Sequence, residues 1–428
     1  MPRTSRREFI QNTALAASAL SLTGTQVLGA NEKINVGVVG LRNRGPQVAD
    51  AMLANGQFNI AAICDVDRDF LDKRTAEFKE KQGKAPKVYG DVRNLLEDKD
   101  IDVVVNATPD HWHCLVALMA LDAGKHVYQE KPASYNIEEG KLMVAAQERH
   151  PNLVVAMGTQ QRSGEHFKDV KQFIDEGGLG RIAFARAVQI HMRHLVPKIP
   201  NSEPPKNLNY DLWLGPAAFE PYNQERVHYN WHFMKNTGTG DAGNWGAHWL
   251  DLLVWYLDLG FPKTASGQGL KVVDDAKEWP DTQTTLYEYP DLTVVWEQRL
   301  WSKFGAGGGT TNGCLINGEK GSIMVNRRGW SFHPNDDKAE GQEHGGSDMM
   351  TPHIQNFVAC IREGAQPAAS IQQGCLSATL CHLANITTVT NSRVEFDAEK
   401  QVVIGSPEAE AMMGRDEYRG EWNPRRLA

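Results

Sequence analysis

The run Gly40-Leu41-Arg42-Asn43-Arg44-Gly45 carries glycine at the first and third positions of a G-x-G-x-x-G turn and follows the apolar stretch Ile34–Val39. A turn of this kind, between a strand and a helix N-terminus, binds a pyrophosphate: glycine permits the tight bend and close helix packing, and free N–H groups face the anion. Arg42 stands at the second position, where a glycine lets phosphate reach the backbone. Arg42, Asn43 and Arg44 must therefore supply contacts of their own. Asp65 follows the next apolar run, residues 59–64, and is placed to accept hydrogen bonds from the hydroxyls of an adenosine ribose. Its charge repels a 2′-phosphate, so NAD is expected in preference to NADP. Arg68 is either a counter-signal or a solvated surface residue.

Lys131 lies in Gly124-Lys125-His126-Val127-Tyr128-Gln129-Glu130-Lys131-Pro132, just past a strand end, which is where open α/β sheets bind ligands. Residues 189–194 with His191, residues 226–232 with Trp231 and His232, and Trp245 with Trp249 mix aromatic faces with hydrogen-bonding groups. Sugar sites have that mixture, and so do ordinary cores. The pairs His111/His113, His191/His194 and His228/His232 have spacings a metal can use, but no Cys or Glu pattern completes a zinc set, so no metal is expected.

These residues need elements to hold them. Residues 33–157 alternate apolar runs (Ile34–Val39, 59–64, 103–107, 126–128, 153–157) with helical spacing (46–55, 69–82, 113–123, Ile137–Arg149), the pattern of a parallel βαβ sheet. Strand patterns follow at 181–192, 282–289, 292–300, 312–317 and 322–325, with hairpin turns at Pro290-Asp291 and Gly318-Glu319-Lys320-Gly321, then helices at 351–363 and 372–390. The expected architecture is α/β: a Rossmann domain at 31–157, a substrate-binding α/β domain at 158–394, and a C-terminal arm at 395–428 laid over the surface or a neighbouring subunit.

Ahead of the first strand stands Ser5-Arg6-Arg7-Glu8-Phe9-Ile10, then a small apolar run over 14–28 that ends at Leu28-Gly29-Ala30. The run is shorter than the ~20 residues a spanning helix needs. Residues 1–30 read as a twin-arginine signal peptide, with an uncleaved anchor as the alternative. That export machinery carries folded proteins, so a dinucleotide loaded in the cytoplasm would travel to the periplasm with its protein. Without residues 1–30, 398 of the 428 residues remain, enough for two domains, and loss of Arg3, Arg6, Arg7 and Glu8 takes the net charge from −8 to −10. So acidic a chain disfavours a nucleic-acid partner. The six cysteines have no CxxC spacing and read as buried thiols, with a Cys360 bridge to Cys375 or Cys381 as the alternative.

The blocks Ala107-Thr108-Pro109-Asp110-His111-Trp112-His113, Gly124 to Pro132, and Gly240-Asp241-Ala242-Gly243-Asn244-Trp245-Gly246-Ala247-His248-Trp249-Leu250-Asp251 resemble, in order and spacing, the Gfo/Idh/MocA family. The resemblance covers essentially the whole chain beyond the leader. It implies a second domain built on a large open antiparallel sheet, substrate held between the domains, and assembly as a dimer or tetramer. It makes Lys131 the lysine that polarises the reacting oxygen and His248 the proton acceptor, and it adds Thr108, Pro109, His113, Glu130 and Gln160 to the cofactor contacts. Gln160 and Arg162, in the segment crossing between domains, become cofactor or substrate contacts. The family usually carries aspartate where this chain has Asn244, and an amide orients a hydroxyl or a histidine but takes no proton. Either His248 works alone, or Asp241 or Asp251 substitutes, or the chemistry differs.

Three activities are open at this point. The first is NAD-dependent hydride transfer from a hydroxyl of a sugar, cyclitol or glycoside. The second is redox-neutral glycoside cleavage through a transient keto-sugar, and the third is sugar binding without turnover.

Overall fold

The computed structural model describes residues 32–306 and 310–427; the twin-arginine leader and its apolar run lie outside the described residues. Strands β1 (Ile34–Val39), β2 (Phe58–Cys64), β3 (Lys87–Tyr89), β4 (Val103–Asn106), β5 (His126–Gln129) and β6 (Val155–Met157) form a parallel sheet in the order β3-β2-β1-β4-β5-β6. All of β4 and all but one residue of β1 are buried, which is why these strands are runs of Val and Ile with no polar alternation. The strand order reverses between β1 and β4, and a crevice at the carboxyl ends of such neighbours is a ligand site. The Gly40 turn leaves β1 there, and Thr108-Pro109 leaves β4. The helix Asp110–Asp122 begins three residues before the start its apolar spacing gives, because Pro109 occupies the cap and Asp110 suits a first turn.

The second sheet has ten strands: β7 (Ile182–Ile190), β8 (Thr264–Leu270), β9 (Thr282–Glu288), β10 (Thr293–Arg299), β11 (Asn312–Gly318), β12 (Gly321–Asn326), β13 (Gly329–Pro334), β14 (Gln342–Gly345), β15 (Val394–Asp397) and β16 (Val402–Ile404). Their order is β14-β13-β12-β11-β7-β10-β9-β8-β15-β16, antiparallel throughout except for the parallel pair β7 and β10. The sheet is thus mixed rather than purely antiparallel. A long crossover carrying the helix Ala247–Tyr256 joins β7 to β8, so the chain re-enters the sheet in its original direction, and the following hairpins lay β10 alongside β7.

One helix fixes the two halves against each other. Ile371–Thr390 opens with a capping box between Ser370 and Gln373. Its Ile371, Cys375 and Ala378 sit in the nucleotide-domain core, while Leu380, Cys381, Leu383, Ala384 and Ile386 sit in the core beneath the second sheet. The segment beyond 394 starts as edge strands of that sheet, and its end lies on the nucleotide domain: Trp422 meets Trp112 edge-on with centroids 5.1 Å apart, and Arg425 pairs with Glu138 at 2.6 Å. All six cysteines are free and buried, so Cys360 bridges neither Cys375 nor Cys381, and burial raises each thiol pKa. Among the described residues no helix is long and apolar enough to cross a membrane.

Candidate active site

Two cavities share the walls Arg44, Glu130, Lys131 and Tyr229. The first, about 300 Å³, follows the crevice: Gly40, Leu41, Arg42, Asn43 and Arg44, then Asp65, Thr108, Pro109, Glu130 and Lys131 on one side, with Trp213, His228, Tyr229, Trp231 and His232 from the second domain on the other. A Cβ on Gly45 would stand 2.0 Å from the Gly40 carbonyl oxygen, and one on Gly40, whose φ is +92°, would stand 2.4 Å from that of Ala107. Only glycine allows backbone so close, which accounts for the first and third glycines. Arg42 does not block the turn, because its side chain leaves it: Nη1 donates to the His228 carbonyl and the guanidinium lies 5.4 Å from the Tyr229 ring centre. His228 Nε2 in turn meets Asp67 at 2.9 Å. Residues of the second domain thereby roof the crevice.

Asp65 accepts from Leu41 N at 2.7 Å and Asp67 N at 3.0 Å, one bond per carboxylate oxygen, so each oxygen keeps a lone pair for a ribose hydroxyl. Burial pushes its carboxyl up to about 6. Arg68 is exposed and does not line the crevice, as the solvated alternative requires. The glycine cradle, the ribose acceptor and the roof fit a dinucleotide.

The second cavity, about 230 Å³, is lined by Arg44, Glu130, Lys131, Gln160, Arg193, Tyr229, Asn244, Trp245, His248 and Arg327. Lys131 Nζ donates to Asn244 Oδ1 at 2.8 Å and to its backbone oxygen at 3.2 Å. Asn244 Nδ2 donates to Asp241 at 3.0 Å, and Arg193 holds Asp241 through two bonds of 3.0 and 2.6 Å. An aspartate at 244 would face the buried Asp241 across that same gap. The amide bonds to ammonium and carboxylate together, which is a physical reason for asparagine there. A single π-helical turn, Ala242–Gly246, carries Asn244 and Trp245 into the site ahead of the helix bearing His248.

Burial holds the Lys131 pKa below its usual value, opposed by Glu130 and Asp110. The His248 pKa lies well below the ordinary imidazole value, through burial first and then the positive charges of Arg327, Lys131 and Arg44. His248 is therefore a neutral ring at neutral pH with a lone pair to accept a hydrogen bond, and its Nδ1 is enclosed without a partner among the described residues.

The remaining expected residues divide. Arg44 ion-pairs with Glu130 at 2.6 Å and reaches Gln160 at 3.4 Å, so Glu130 and Gln160 orient an arginine that walls both cavities. His113 bridges the carbonyls of Pro132 and Thr108, at 2.6 and 2.9 Å, tying the Lys131 turn to the end of β4. Trp231 and His232, stacked 3.6 Å apart, line the first cavity rather than the second. His191 lines neither; it lies beside Asp241 at 3.8 Å and its Nδ1 accepts from Gln189 Nε2 at 2.7 Å.

Arg162 contradicts its expected role as a substrate contact. It is 1% exposed and locked to Asp251 by two bonds of 2.8 Å, with Ser377 also donating to Asp251. A buried guanidinium must find a carboxylate, and this one lies on the helix Ala247–Tyr256; the pairing also withdraws Asp251 from proton transfer. Arg327 is the residue the sequence did not disclose. It follows β12 in the turn Asn326-Arg327-Arg328-Gly329, which reads as a solvated hairpin, and no periodicity or motif marks it.

A parallel nucleotide sheet joined to a large mixed sheet, with a lysine and a histidine between them, defines an α/β dinucleotide-dependent enzyme class. The description "Oxidoreductase family, NAD-binding Rossmann fold" matches residues 34–158, and "Oxidoreductase family, C-terminal alpha/beta domain" matches residues 194–424. The chain belongs to the Gfo/Idh/MocA oxidoreductase family. It is 26% identical to a glycosyl hydrolase family 109 protein of Saccharopolyspora erythraea over 44% of this chain and 46% of that one. It is 29% identical to the 1-carboxy-3-chloro-3,4-dihydroxycyclohexa-1,5-diene dehydrogenase of Comamonas testosteroni over 42% and 43%. The chain thus matches under half the length of these curated relatives. Its fold is also that of the WlbA dehydrogenase of Bordetella pertussis in complex with NADH and UDP-GlcNAcA (TM-score 0.66, 21% identity, 86% of this chain and 99% of that one). Levoglucosan dehydrogenase in complex with NADH and levoglucosan gives a TM-score of 0.62 at 20% identity over 85% and 99%.

Proposed function

We propose that the protein is an NAD-dependent oxidoreductase that transfers hydride between a hydroxyl-bearing carbon of a sugar, cyclitol or glycoside and a tightly held nicotinamide. The observation that carries this reading is the convergence of Lys131, Asn244 and His248 on a cavity that opens from the dinucleotide crevice. Bound NAD supplies the centre that accepts hydride. In this chain Lys131 turns its remaining N–H, beyond the two bonds to Asn244, to the substrate oxygen, lowering the cost of negative charge as the C–H bond breaks. Neutral His248 accepts the hydroxyl proton, and Asn244 holds the ammonium in line from its anchor on Asp241. Reduced-nicotinamide absorbance after adding glycosides to the loaded protein tests this reading; no change with any of a broad panel would count against it.

The similarity to glycosyl hydrolase family 109 proteins favours one second reading. There, the carbon once oxidised acidifies its neighbour, the glycosidic group leaves, water adds, and hydride returns. Product release without net accumulation of reduced nicotinamide is its signature. The same residues serve both readings.

Preference for NAD over NADP rests on Asp65. A ribose hydroxyl donates more strongly to its carboxylate than to its acid form, so affinity for NAD is expected to fall as pH drops through about 6. Calorimetric titration from about pH 5 to about pH 8 checks this, with Asp65→Asn predicted to be weak and flat over that range. A wild-type affinity unchanged across it would remove Asp65 from the site.

We further propose that residues 1–30 are a twin-arginine signal, that the machinery reading it exports the loaded protein to the periplasm, and that the mature chain forms a dimer or tetramer. Periplasmic recovery of an Arg6→Lys, Arg7→Lys variant at the wild-type level would contradict the first two, and a monomeric mass by light scattering the third.

A further inference from the structure

The charges around the second cavity do not balance. Arg44 is matched by Glu130 and Arg193 by Asp241, each at 2.6 Å, while Lys131 is hydrogen-bonded to Asn244 and lies in the field of the buried Asp110. Arg327, like Lys131, has no ion-paired carboxylate among the described residues, and its anchor is a neutral amide. Its Nη2 donates to Gln161 Oε1 at 3.1 Å, its Nε is enclosed without a partner, and its guanidinium lies 5.1 Å from the Trp245 ring centre and 5.9 Å from that of Trp249. Burial and then the nearby Arg44 lower its pKa to about 10 against the opposing charge of Glu130, which leaves it charged at neutral pH. Keeping a desolvated guanidinium beside other cations is costly unless an anion arrives with the ligand.

We propose that Arg327 selects substrates bearing a carboxylate, a uronic acid or similarly acidic sugar or cyclitol, whose anion pairs with it while Lys131 and His248 handle the reacting hydroxyl. The inference rests on reading this cavity as the substrate site. Trp245 and Trp249 hold the guanidinium plane by cation–π contact, and a planar fork held this way matches a carboxylate edge. With Lys131 committed to the reacting hydroxyl, Arg327 is the cation left for an anion on the substrate, and one positive charge suits a monoanion better than a phosphate dianion. Trp245, which lines the cavity, also offers an apolar surface to the C–H groups of a ring.

The test is calorimetric titration of NAD-loaded protein with matched pairs: methyl β-D-glucuronide against methyl β-D-glucoside, and the galacturonide against the galactoside. The acid member of at least one pair should bind about 10- to 100-fold more tightly than its neutral partner, the range a buried charge-assisted hydrogen bond spans. In Arg327→Met, which retains volume over the indoles, that ratio should fall to near one, and Arg327→Lys should restore part of it; Arg327→Gln replaces the methionine variant if the latter does not fold. Equal binding within both pairs, absence of binding by either acid, a ratio that survives in the folded variant, or a sugar 6-phosphate that outcompetes the uronide would each overturn the proposal. Reduced-nicotinamide absorbance on the same samples separates the two claims. An acid preference without any hydride transfer leaves Arg327 standing and sinks the oxidoreductase reading. Equal transfer from both members of each pair sinks Arg327 alone.

Discussion

Replacing Lys131 with alanine is expected to lower kcat by about 100- to 10,000-fold, the span usual for loss of a positioned proton donor or acceptor. Lys131 is the one ammonium at the junction of the two cavities, held by Asn244 rather than by a carboxylate, so its proton is available to an incoming oxygen. Affinity for NAD should change little, because the adenosine end is held by the Gly40 turn and Asp65, and Arg44 remains. The effect should thus fall on kcat far more than on the dinucleotide Kd. Steady-state kinetics alongside nucleotide titration measures both. A variant turning over within about twofold of wild type would remove Lys131 from the chemistry. Lys131→Arg should rescue poorly, since a guanidinium is too broad for the site that fits an ammonium between Asn244 Oδ1 and its carbonyl oxygen.

Arg162→Met is expected to cost about 3–5 kcal/mol of folding stability, because it leaves Asp251 charged and unpaired in the interior. Against a total of about 5–15 kcal/mol for a typical domain, such a loss should lower the denaturant midpoint plainly. Asp251 would keep only the Ser377 hydroxyl as a donor. The double variant Arg162→Met, Asp251→Leu should recover much of the loss, since an apolar pair leaves no stranded charge. Turnover of the folded fraction should stay within severalfold of wild type. A single variant that is as stable as wild type but binds sugar poorly would return Arg162 to the substrate site.

Those two residues mark what the amino-acid sequence could and could not disclose. The dinucleotide turn and Asp65 were legible because the signal is local: a strand, a bend that admits only glycine, a helix, and an acid at the next strand end. Lys131, Asn244 and His248 were legible through the blocks around them. Arg162 was misplaced because its partner lies 89 residues away, and nothing in the intervening chain says that the guanidinium turns inward to meet it. Arg327 was invisible for the opposite reason: a pair of arginines in a hairpin turn reads as solvent-facing, and only the packing of that turn on Trp245 makes one of them part of the cavity.

Strands show the same division. β9 and β10 announce themselves by alternation and a Pro-Asp turn, whereas β8, Thr-Ala-Ser-Gly-Gln-Gly-Leu, has two glycines, no apolar alternation and no place among the expected strands. Its Gly267 is required where a Cβ would come within 2.7 Å of the Thr284 carbonyl oxygen, a cross-strand constraint with no local signature. β15 and β16 were assigned to the arm because they are short edge strands, paired only once β8 is in place.

The central claim is that a nicotinamide dinucleotide occupies the crevice of the first sheet with its reactive end toward Lys131 and His248. Protein purified without added cofactor should be denatured and the released nucleotide quantified, and stripped protein titrated with NAD. The account predicts NAD or NADH in the released fraction, or saturable rebinding that Asp65→Asn weakens. Finding no nucleotide, and no affinity of the stripped, folded protein for any nicotinamide dinucleotide, would contradict it.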